Sequence, residues 1–88
     1  MQSDDGVIVN TSFGHEQASC EINGERYLVP KEVSQNADRN LVCHLYVNAG
    51  STCREGAFGV SLDEAMLRRL RQDLRAAFEA AGFQVVFR

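Results

Sequence analysis

No stretch of this 88-residue chain is apolar for anything near the ~18–20 residues that a membrane-spanning helix needs. The opening Met1-Gln2-Ser3-Asp4-Asp5-Gly6 lacks the positive charge and apolar stretch of a secretory leader, so a cytoplasmic location is expected. Lysine is nearly absent: of nine basic residues only Lys31 is one. Basic excess is absent too. Twelve acidic side chains leave a formal net charge of −3, whereas nucleic-acid binders usually show a clear positive balance. Cysteine is sparse and odd in number, at Cys20, Cys43 and Cys53. A secreted disulfide scaffold carries a denser, even set, so reduced thiols are expected.

Catalytic and metal-binding signatures are also missing. There is no Gly-x-Ser-x-Gly, no His-Glu-x-x-His and no phosphate-cradling glycine loop. His15, Cys20, Cys43, His44 and Cys53 supply ligand types for zinc, but without the paired Cys-x-x-Cys spacing that closes a site. Cys43 and His44 are neighbours on a predicted strand, so their side chains diverge. A Cys53–His44 or Cys43–His15 dyad is supported by no spacing. No catalytic residue, metal or cofactor is therefore expected. Asn10-Thr11-Ser12 matches a glycosylation sequon, which in a cytosolic protein arises by chance.

What remains is a small α+β chain. Its length makes one domain, 1–88, with residues 1–6 frayed, burying about 60–65% of the unfolded surface for a stability on the order of 5–10 kcal/mol. Val7 to Phe13 is β-branched and reads as a strand. Gln17–Ile22 and Glu25–Val29 flank Asn23-Gly24, two residues that tolerate positive φ, and so predict a hairpin. Pro30 is expected to end the third strand, and Lys31 to Asn40 to form a helical turn or loop. Leu41 to Val47 is the most strand-like run, and Cys53 to Val60 reads as either a short irregular strand or a loop.

The closing segment carries the helix. Ser61 is placed as its N-cap with Glu64 in the reciprocal capping-box position. Leu62, Met66, Leu70, Leu74, Ala77, Phe78 and Ala81 fall on one arc at 100° per residue, which must be buried. Burying Leu70, Leu74 and Phe78 contributes roughly 1.5–3 kcal/mol each. Gly82 suits a left-handed position after the last turn, and Phe83 to Phe87 follows as a strand. The order predicts an antiparallel sheet of four to five strands, with one long C-terminal helix on one face and a final strand after it. If Ala57–Val60 is a strand, it and Phe83–Phe87 flank the helix as a β-α-β crossover.

Two surfaces stand out. Arg68, Arg71 and Arg75 form an outer helix stripe able to grip an acidic partner or a phosphate; the plain alternative is a solvated face with Glu64 and Arg68 paired. Charge reversal at Arg71 and Arg75 is expected to leave folding nearly unchanged. Arg69 and Asp73 are expected to pair at the helix edge. One helix covers only one face of such a sheet, and alternation on Leu41–Val47 puts Val42, His44 and Tyr46 on the other. That set makes a protein contact surface unless the sheet curls or residues 31–40 or 48–56 cover it.

In size, mild acidity and stand-alone α+β organisation the chain resembles the small inhibitors that phages and mobile elements encode, anti-CRISPR proteins among them. Those inhibitors share no motif, so the resemblance transfers no site. It implies a non-enzymatic protein-binding module that occupies a surface of a nucleic-acid-handling effector complex, with a Cas effector subunit as partner. Two alternatives stay open: a nucleic-acid or anionic-ligand module using Arg68, Arg71 and Arg75, and a homodimer that buries the open sheet face.

Overall fold

The computed structural model describes residues 7–11, 16–57 and 61–88. The expected frayed start, Ser12 and Phe13 of the expected first strand, and the proposed strand at Ala57–Val60, beyond Ala57 itself, lie outside the described residues. The elements are β1 (Ile8–Asn10), β2 (Gln17–Ile22), β3 (Glu25–Gln35), β4 (Leu41–Leu45), β5 (Cys53–Arg54), α1 (Glu64–Ala80) and β6 (Gln84–Phe87). The sheet runs β1-β2-β3-β4-β6, with β5 also paired to β3. The fold is α+β, as the sequence order indicates. Its body is antiparallel, but β6 joins β4 in parallel, so the sheet is mixed.

The β2–β3 hairpin turns on Asn23 (φ 52°) and Gly24 (φ 86°), both left-handed, with Ile22 opposite Glu25. Two successive positive φ values give the turn the twist that antiparallel strands need. Pro30 does not end β3. The strand runs on to Gln35, changing partners at the proline: Glu25–Pro30 pair with β2, and Lys31–Gln35 with β4. Residues 31–35 are thus strand where a turn or loop was expected. The real turn follows, where the Asn36 Oδ1 accepts from the Asp38 and Asn40 amides at 3.0 Å each and Arg39 is left-handed (φ 65°).

Helix α1 begins later than Ser61. Asp63 is the N-cap, its carboxylate accepting from the Met66 amide at 2.8 Å, and Glu64 is the first helical residue. Leu62 therefore precedes the helix and cannot set its buried arc. The buried side chains are Leu67, Leu70, Leu74 and Phe78. Leu67 replaces Leu62 and Ala81 in the expected set; Leu62 and Met66 are only half-buried, and Ala81 is exposed. At the other end Gly82 is left-handed (φ 96°), its amide bonds Glu79 O, and the Phe83 amide bonds Phe78 O. That pair of bonds closes the helix, and the Phe78 and Phe83 rings pack edge-on at 5.5 Å across it.

The core lies between α1 and one sheet face. Ala18, Cys20 and Ile22 of β2, Tyr27 and Val29 of β3, and Cys43, Leu45 and Val47 on and after β4 meet the four helix side chains. Lys31 continues the inward alternation of β3 and is buried, its ammonium 5.7 Å from the centre of the Phe78 ring. Cys20 and Cys43 are fully buried, as small apolar residues would be, and no disulfide joins them. Burial, then the Asp73 carboxylate, push the Cys20 thiol from 9.0 up to about 11, with Arg69 opposing. A thiol raised by folding adds stability that is fully present below pH 9.0 and is lost as pH climbs through about 11. Stability measured by urea unfolding should thus fall by roughly 2 kcal/mol more between those limits in the native chain than in Cys20→Ala. Parallel pH profiles for the two proteins would refute this.

Candidate functional site

The face of the sheet away from α1 is built by strand alternation. Cross-strand register places Glu32, His44 and Val86 in one row, and Ser34, Val42 and Gln84 in the next. On the other side of His44, Tyr46 donates its amide to Pro30 O at 3.0 Å. Val42, His44 and Tyr46 are thus on the helix-free face, while Leu41, Cys43, Leu45 and Val47 pack into the core. Leu28, Pro30, Tyr46 and Val86 are half-buried there and Val42 is buried by its neighbours. No described helix or strand layer covers this face, and residues 31–35 and 53–54 extend the sheet rather than fold over it.

His44 is the centre of a fixed network. Arg88 donates from Nη2 to His44 Nδ1 at 3.1 Å, and His44 Nε2 lies 3.0 Å from Ser34 Oγ. A guanidinium only donates, so Nδ1 accepts and the ring proton sits on Nε2, facing the serine hydroxyl. The Arg88 amide bonds Leu45 O at 2.9 Å, and its carbonyl accepts from the Asn48 side chain at 3.3 Å. Arg88 was missed in the sequence. Its signal was the alternation Gln84, Val86, Arg88, which carries an arginine onto the same face as His44.

The helix stripe divides. Arg71 is a strap: Nη2 donates to Val47 O at 2.9 Å, and Nη1 lies 3.5 Å from the Glu64 carboxylate. Glu64 therefore pairs with Arg71, and not with Arg68. Charge reversal at Arg71 would remove a helix-to-sheet bond, so it is no longer expected to leave folding untouched. Arg75 lies over the Phe87 ring at 5.1 Å, and Arg68 is exposed. Arg69 and Asp73 form the expected edge pair at 3.4 Å. Arg75 brings the stripe to the β6 margin, where Arg88 reaches the open face, so the two candidate surfaces meet there.

Of the two candidate nucleophile pairs, the one whose residues are both described, Cys53 and His44, does not assemble. Cys43 and His44 face opposite sides of β4, and His15 lies outside the described residues. Cys53 sits opposite Leu28 and His44 opposite Glu32, four residues apart along β3, or about 13 Å. A groove of about 460 Å³ beside the helix N-terminus is lined by Tyr27, Arg54, Leu62, Asp63, Met66 and Arg69 among others. Its charges are committed: Arg54 to Glu25 at 3.7 Å, Arg69 to Asp73, and Asp63 to the helix cap. Comparison with family models, curated proteins and solved structures gives no match.

Proposed function

We propose that this chain is a non-enzymatic protein-binding module that contacts its partner through the helix-free sheet face. The observation that carries the reading is the pattern of that face. Half-buried Leu28, Pro30, Tyr46 and Val86 share this face with a hydrogen-bonded group of His44, Ser34 and Arg88 and with the exposed Glu32 opposite His44. An apolar field with a few fixed polar groups and a charged rim is the usual anatomy of a protein contact. The hydrogen bonds that Ser34 and Arg88 make to the imidazole lower the side-chain entropy left to lose on binding. The resemblance to phage-encoded inhibitors makes a subunit of a nucleic-acid-handling effector complex the first partner to test.

The immobilised chain should retain a stoichiometric protein from a lysate of the cell that expresses it. Tyr46→Ala combined with Val86→Thr should weaken that retention by at least about tenfold, since central apolar contacts dominate binding energy. Thermal unfolding of the variant separates lost contact from lost fold. Absence of any stoichiometric partner, or equal retention by the folded variant, would sink the reading.

A further inference from the structure

We propose that the outer edge of β6 takes up an extended peptide segment carrying acidic side chains, added to the sheet as a further strand. The inference rests on the protein-binding reading above and names what the partner brings. Because the Arg88 amide bonds Leu45 O, even-numbered residues of β6 turn their backbone toward β4. Val85 and Phe87 turn theirs outward, presenting two N–H and two C=O groups to an edge that no described strand occupies. Such an edge is a template for another strand, and β6 lacks the lysine, proline or bulge that commonly blunts one.

Charge chooses the strand. In a chain of net −3, this margin is basic. Arg75 lies over Phe87, Arg88 ends the strand, and neither has a carboxylate partner among the described residues. A groove of about 250 Å³ lined by Arg71, Gln72, Arg75 and Phe87 runs along the helix side of the edge. A strand laid against β6 alternates its side chains between the two faces. One set rises beside Phe87 into the groove under Arg75, and the other lies beside Val86 and Arg88. Carboxylates on either face therefore meet an arginine. A second copy fits worse. Antiparallel pairing about Val86 would set the two Phe87 residues, each under its own Arg75, about 7–8 Å apart and bring like charges together.

Backbone amide exchange of the full isotope-labelled chain tests this, with a capped octapeptide alternating glutamate and threonine as probe and its lysine counterpart as control. The Val85 and Phe87 amides should exchange fast in the free protein and slow at least about tenfold with the glutamate peptide on the order of 1 mM. Added salt should weaken the effect. Val85→Pro should abolish it while keeping the fold, because that amide points away from β4. No slowing, or equal slowing by the lysine peptide, overturns the proposal. So does slowing that needs no peptide and grows with protein concentration, which would mark a second copy at the edge. A captured partner that releases from Tyr46→Ala yet holds to Val85→Pro would overturn the edge and leave the protein-binding reading standing.

Discussion

Phe78→Ala should destabilise the domain by about 3–5 kcal/mol, the upper range for a truncated core aromatic. Against a total on the order of 5–10 kcal/mol, that removes a large share of the stability. Phe78 is fully buried and is the largest such side chain among the described residues. Three separate contacts end on its ring: the packing beneath α1, the edge-on contact with Phe83 that closes the helix, and the Lys31 ammonium at 5.7 Å. Urea unfolding should show the loss as a lower midpoint, and the melting temperature should fall by more than about 12 °C. Phe78→Leu, which restores bulk without the ring, should recover the larger part. A loss below about 1.5 kcal/mol for the alanine variant would mean that the helix closure and core are less dependent on this ring than the packing indicates.

The elements that were legible in the sequence are those whose cause is local. Asn23-Gly24 needs only its own φ preferences to specify a hairpin, and Gly82 only its own to end a helix. The alternation of Leu41–Val47 likewise names its two faces without reference to any other segment. The helix arc was less secure, because it was anchored on Leu62. Once Asp63 takes the cap, the arc turns toward Leu67, and Arg71 comes to the margin where it reaches Val47 O. That rotation converts one member of the arginine stripe from a candidate contact into a structural strap.

The candidate site was legible as a set of residues and illegible as a network. Val42, His44 and Tyr46 follow from period two alone. That Arg88 ties His44, and thereby joins β6 to the open face, depends on β6 pairing in parallel with β4 across a segment of nearly forty residues. Nothing in the local pattern of Gln84–Phe87 chooses its neighbour strand. The same non-local dependence explains why β3 outran its proline.

Thr52→Val should cost about 1–3 kcal/mol although valine matches the threonine in shape, because the loss is one of hydrogen bonding. Where β3 meets the end of β4, the Tyr46 amide bonds Pro30 O, and a regular antiparallel pair would return a bond from residue 30 to the Tyr46 carbonyl. Proline has no amide to give. The Thr52 hydroxyl takes its place, donating to Tyr46 O at 2.8 Å while accepting from the Asn48 amide at 3.2 Å. Thr52 is 3% exposed, and valine in its place leaves the Tyr46 carbonyl without this donor. The substitution of hydroxyl for amide is what permits a proline inside a long strand, and it has a specific signature. Pro30→Ala in the Thr52→Val background restores an amide opposite Tyr46 O and should recover on the order of 1 kcal/mol, whereas Pro30→Ala alone should gain nothing comparable. A double-mutant cycle by urea unfolding measures that coupling. Additive effects would mean that Tyr46 O does not pass from one donor to the other, and that β3 tolerates Pro30 for some other reason.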